Sequence, residues 1–129
     1  MEKYEKMLNM LMNINKLIRF AAVCDKDGNI LWHSQRDNIK NIIPLSETKK
    51  SIKRAADAWH EREVIVQKAG RGMYAIAAYE KIKRITIPLD KNHILFISTD
   101  NRPKHEGEYG VLAGIGAIMS IVDFVNSSN

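Results

Sequence analysis

Apolar residues at Tyr4, Met7, Leu8, Leu11, Ile14 and Ile18 recur at spacings of three and four, while Lys3, Lys6, Asn9, Asn13 and Lys16 mostly fall elsewhere. That period predicts a first helix over residues 2–18 with one buried stripe. Phe20 to Cys24 and Ile30 to Trp32 are short apolar runs, separated by Asp25, Lys26, Asp27, Gly28 and Asn29. Gly28 can adopt the positive φ of a tight turn, and Asp and Asn tolerate it, so Arg19 to Ser34 reads as a hairpin. Its first strand is apolar on both faces, as expected of a strand covered on both sides. Simple alternation puts Ile30 and Trp32 on one face of the second strand, with Leu31 and His33 on the other.

Pro44 closes a polar-to-apolar stretch, and Ser46 is the expected N-cap of a second helix with Glu47 in its first turn. Ile52, Ala55, Ala56 and Trp59 form its buried stripe, and Lys49, Lys50, Lys53 and Arg54 mostly occupy other azimuths. The pattern leaves open whether this helix continues through Val64 to Val66. Gly70-Arg71-Gly72 is a turn, too short and wrongly placed for a phosphate loop. Three strand-like runs follow, Met73–Tyr79, Ile82–Ile87 and Ile94–Thr99, and their short joints dictate an antiparallel meander. In the middle run Lys83, Ile85 and Ile87 share a face opposite Arg84 and Thr86. The last run should lie inside the sheet. A third helix is expected over "EYGVLAGIGAIMSIVDFV", where Gly110, Gly114 and Gly116 each cost about 1 kcal/mol against Ala unless close packing uses their missing side chains.

The fold class expected is therefore α+β: a three-layer α/β/α arrangement with a five-stranded antiparallel sheet in the order α-β-β-α-β-β-β-α, one domain spanning 1–129. Composition agrees, since 45% hydrophobic and 27% charged residues describe an ordinary globular chain. The apolar stretch ending at Asp123 is shorter than the roughly 20 residues of a membrane span. The start of the chain does not resemble an export signal, and Cys24, the sole cysteine, excludes an internal disulfide; both fit a cytoplasmic protein. A net charge of +5 permits contact with nucleic acid, but zinc-finger cysteines, RNP aromatics and long basic runs are lacking.

The motif "RFAAVCDKDGNIL", the Pro-Leu-Ser start of the second helix, and "YEKIKRITIPLDKNHILFIST" as the closing hairpin together resemble the Roadblock/dynein light chain (Roadblock/LAMTOR-like) family, particularly its short archaeal members of uncertain role. The likeness covers nearly the whole chain and implies a Roadblock/profilin-like fold. It further implies a dimer in which third strands pair and second helices pack, and a partner such as a small Ras-like GTPase or another Roadblock-like protein. Met73, Ala75, Ala77 and Tyr79 on the pairing edge, with Ile52, Ala56 and Trp59 on the second helix, are the expected interface. Lys49, Lys53 and Arg84 are the expected partner surface. The helix-three stretch is richer in glycine than the family pattern.

Catalytic chemistry has little support. His33, His60, His93 and His105 lie on different elements, and no two have metal-ligand spacing on one helix. Cys24 and His33 could meet across the first hairpin, but an apolar strand does not favour a thiolate. Asp25-x-Asp27 lacks the remaining ligands of a calcium loop, and GTP hydrolysis would require a P-loop that the chain does not have. Arg36, Arg71 or Arg84 could approach a partner's nucleotide. The leading expectation is a non-enzymatic homodimeric interaction module without metal or cofactor that scaffolds or regulates a small GTPase or cognate complex. The alternative is a PAS/profilin-like small-molecule sensor with a cavity near Trp32, Tyr74 and Phe96.

Overall fold

The computed structural model describes residues 2–37, 43–101 and 114–127. Helix α1 (Glu2–Ile14) leads into strands β1 (Ile18–Asp25) and β2 (Ile30–Gln35), then helices α2 (Leu45–Glu61) and α3 (Glu63–Ala69). Strands β3 (Ala75–Ala78), β4 (Ile82–Pro88) and β5 (His93–Asp100) precede the last helix, α4 (Ile115–Ser127). The strands form one antiparallel sheet in the order β2-β1-β5-β4-β3. The two strands expected to be central, β1 and β5, are interior, and β3 is an edge.

Helix α1 stops earlier than its periodicity suggests. Leu17 N–H donates to Asn15 Oδ1 at 2.9 Å and Ile18 N–H to the Asn15 carbonyl at 3.2 Å, turning the chain into β1. Ile18 therefore belongs to the sheet, and Ile14 is exposed. The guanidinium of Arg36 secures this corner by donating to the carbonyls of Ile18, Met12 and Asn15. One side chain thereby ties the last turn of α1 to the first residue of β1.

Tyr4, Met7, Leu8 and Leu11 of α1 join Ile118, Met119, Ile121, Val122 and Val125 of α4 over Ile18, Ala21, Val23, Ile85, Ile87, Leu95 and Ile97. The opposite face is covered by α2, whose Ile52 packs with Ala22, Cys24, Ile94 and Phe96. Two helices thus cover one face and one helix packs on the other, giving the expected three layers.

The expected shared face of Ile30 and Trp32 is overturned by a β-bulge. Val23 pairs with Trp32 but Cys24 with Ile30, so Leu31 is the extra residue. The bulge sends Trp32 to the α1 side and Ile30 to the α2 side, consistent with their separate clusters. At the hairpin tip Gly28 has φ 87°, and a Cβ there would stand 3.0 Å from the Lys53 Cβ. Glycine is needed both for the turn and for seating its tip against α2.

Helix α2 begins at Leu45 with Pro44 as N-cap, so Ser46 is inside the first turn rather than capping it. It ends near Arg62, and Val64 to Val66 form the separate helix α3. Gly70, at φ 93°, closes α3. The expected third helix falls partly outside the described residues, including Gly110. Gly114 adopts φ 137° immediately before α4, and Gly116 faces open space, so close packing does not account for Gly116. No helix among the described residues is long and apolar enough to cross a membrane.

Candidate functional site

Strand β3 pairs only through β4, with Ala75 opposite Thr86, Ile76 opposite Ile85, Ala77 opposite Arg84 and Ala78 opposite Lys83. Ile76 turns toward the α1 side of the core, whereas Ala77 and Ala78 are exposed. Large apolar side chains crowd this end of the molecule. Among the described residues nine large hydrophobics are exposed, and five of them, Val64, Ile65, Met73, Tyr74 and Tyr79, lie in α3 or immediately beside β3. Their concentration within one stretch marks a surface suited to a partner.

The segment entering β3 is anchored by Trp59. Its Nε1–H donates to Thr86 Oγ1 at 3.1 Å, the Arg62 guanidinium lies 4.7 Å from the ring centroid, and a Cβ on Gly72 would come within 2.3 Å of the ring. Gly72 is thus required for close approach between this loop and α2. The expected interface residues separate into two groups: Met73, Ala77 and Tyr79 are exposed and Ala75 half-buried, while Ile52 and Ala56 are buried, Ile52 against the chain's own sheet. Trp59 belongs mainly to this inward-facing set. Tyr74, expected beside a cavity, is instead exposed, as are Val64 and Ile65 of the apolar run at 64–66.

A second feature lies beneath the first turns of α2. A cavity of about 340 Å³ is lined by Phe20, Ile30, Ile82 and Phe96, with Arg19, His33, Lys49, Arg84, Thr48 and Ser98 among its polar residues. Arg84 donates through Nη1 to Ser51 Oγ at 2.9 Å and through Nη2 to Thr48 Oγ1 at 3.1 Å. Its guanidinium is 5.4 Å from the Phe96 ring centroid, and its buried Nε finds no acceptor among the described residues. Burial lowers its pKa from the usual arginine value. Arg84 is consequently drawn under α2, where Lys49 lines the same cavity and Lys53 does not. Lys53 instead pairs with Asp57 at 2.7 Å on the exposed side of the helix.

The expected cavity near Trp32, Tyr74 and Phe96 is relocated: Phe96 lines the α2-side cavity, whereas Trp32 packs on the opposite face. Nor do Cys24 and His33 oppose each other, since their strand partners are Ile30 and Ala22. Burial is the main cause pushing the Cys24 thiol up to about 12, with Asp25 adding to it, which disfavours the thiolate. Arg36 is committed to the α1 corner, and Arg71 pairs with Asp123 at 3.1 Å. Asp90 accepts the Tyr4 hydroxyl at 2.7 Å and lies 2.9 Å from His93 Nδ1, knitting the β4–β5 turn to α1. No cluster of three metal-ligating side chains occurs among the described residues.

No family model and no curated protein matches the sequence. Solved structures do match its shape. Gliding protein MglB from Thermus thermophilus aligns at TM-score 0.66 and 12% identity, covering 99% of this chain and 91% of that one. MglC from Myxococcus xanthus gives 0.64 and 14%, over 98% and 99% of the respective chains. A Roadblock/LC7 domain from Streptomyces avermitilis gives 0.62 and 11%, over 95% and 93%. With its five-stranded sheet and helices on both faces, the chain has the Roadblock/LC7 fold.

Proposed function

We propose that the protein is a non-catalytic interaction module that self-associates through β3. The observation carrying this reading is an uncharged edge strand beside an unusual concentration of exposed apolar side chains. Such an edge offers unpaired backbone groups to another strand. Its own two-fold copy is the simplest partner, because an antiparallel pairing of identical strands closes into a dimer. One MglB structure has a tetrameric arrangement, which supports self-association within this fold.

The homodimer would present a composite surface to a protein partner, with Met73, Tyr74, Ala77, Tyr79, Val64 and Ile65 contributing near the pairing edge. Lys49 and Lys53, on the outer part of α2, would contribute a cationic surface. A small Ras-like GTPase, a cognate scaffold or another Roadblock-like chain is the proposed partner class, and the proposed location is cytoplasmic. The buried position Ile52 would support the interface through its own sheet rather than by direct contact, and Ala56 is likewise buried within the chain.

Molar mass measured by light scattering tests the self-association step. The wild type is expected to be a dimer at concentrations on the order of tens of micromolar, where specific oligomers commonly persist. Ala77→Asp should yield a folded monomer, because a carboxylate at the edge strand would be desolvated in the dimer. A monomeric wild type would contradict the proposal.

A further inference from the structure

We propose that the cavity beneath the N-terminal half of α2 binds a small organic carboxylate, its acid group on Arg84 and its apolar body against Phe20, Ile82 and Phe96. This inference is independent of the interaction reading, because the cavity belongs to one chain. Its volume of about 340 Å³ falls within the range of ligand pockets, roughly 300–1,000 Å³. The lining combines an apolar body with a few directed polar groups, the usual division between affinity and orientation in such sites.

Charge decides the ligand class. Arg19, His33, Lys49 and Arg84 line the cavity, and no aspartate or glutamate is among its described lining residues. Arg19 already holds Asp100 at 2.6 Å, and His33 stacks on Phe20 at 6.0 Å between centroids. Arg84 is differently placed: two neutral hydroxyls accept from its terminal nitrogens, while Nε lacks an acceptor among the described residues. Neutral acceptors satisfy donors without balancing the charge of a half-buried cation. The Phe96 face supplies some compensation, and a carboxylate would supply more through charge-assisted hydrogen bonds. A fork-shaped guanidinium favours a planar carboxylate over a point-like halide.

Thr48 and Ser98 help leave space beside Arg84. Both are small residues lining the cavity, and Arg84 reaches across to the Thr48 hydroxyl. Phe20 and Phe96 stand edge-on to each other at 6.3 Å between centroids and form an aromatic wall. An aryl or alkyl acid can therefore meet both a guanidinium and an aromatic wall within one cavity.

The matched probes 4-phenylbutyrate and 4-phenylbutyramide separate charge recognition from apolar burial. Amide chemical shifts followed by NMR should show saturable binding of the acid, with changes centred on Thr48, Phe96 and Ser98. Its Kd should be about tenfold lower than that of the neutral amide, the scale of one charge-assisted hydrogen bond. Arg84→Met should remove that difference, and Ser98→Leu should abolish binding of both probes by filling the cavity. Both variants must retain a dispersed spectrum to count; if one unfolds, the other still supplies the test. Equal affinity of the wild type for the two probes, shifts centred outside the cavity, or no saturation at about 10 mM would overturn the proposal.

Discussion

At one edge of the sheet, β2 runs for six residues, contains a bulge at Leu31 and carries His33, Ser34 and Gln35 toward its end. At the other, β3 runs for four residues, Ala75–Ala78, without charge or proline, and exposed Met73, Tyr74 and Tyr79 flank it. The β2 edge is also secured to the molecule: Trp32 lies 5.8 Å from the Tyr4 ring and 6.4 Å from the His93 ring. Bulges and polar residues are ways of protecting an edge from another strand, and β3 lacks them. On the proposed reading, their contrast divides the sheet into a β2 side that serves stability and a β3 side that serves association.

The largest effect expected is alkaline unfolding, which acts at the centre of the sheet and gives the baseline for both edges. Cys24 has its pKa raised from 9.0 to about 12 chiefly by burial, and burial with the Asp90 contact also raises that of Tyr4. A raised pKa means that folding favours the protonated form. The Cys24 contribution is therefore fully present below pH 9.0 and lost as pH rises toward about 12. Circular dichroism should record falling stability through that window, and a flat profile would contradict the burial account.

At the β2 edge, Trp32→Ala should lower unfolding free energy by about 3 kcal/mol, because the ring's contacts with Tyr4 and His93 are lost. Urea denaturation reads the loss, and molar mass should not change. At the approach to β3, Gly72→Ala should cost about 2 kcal/mol, because its Cβ would force the Trp59 ring to move. A change in tryptophan emission should accompany it. The smallest stability effect is expected from Val64→Ser with Ile65→Ser, within about 0.5 kcal/mol per site for these exposed positions. Dilution monitored by sedimentation should nevertheless show weaker self-association if these residues border the interface.

Much of this contrast was legible in the chain. Helix and strand periods distinguished α1 from the sheet, and the short joints around 80 and 90 ordered β3, β4 and β5. Small alanines at 75, 77 and 78 and the absence of charge marked the vulnerable edge. The end of α1 was harder to locate because Ile18 satisfies a helical spacing and also begins an apolar strand. The Leu31 bulge was hidden because alternation does not reveal where the backbone inserts an extra residue. Arg84 was assigned to the correct strand face, but whether α2 would cover that face at this point depends on tertiary packing. Its cavity therefore emerged only in three dimensions, whereas the burial of Ile52 and Ala56 was legible in the helical spacing.

Amide hydrogen exchange of the two edge strands tests the central claim most directly. At concentrations on the order of tens of micromolar, outward-pointing amides of Ala75–Ala78 should be protected by about 100-fold over those of β2, and Ala77→Asp should remove that excess. Equal, rapid exchange at both edges of the wild type would contradict the assignment of β3 as the self-association edge.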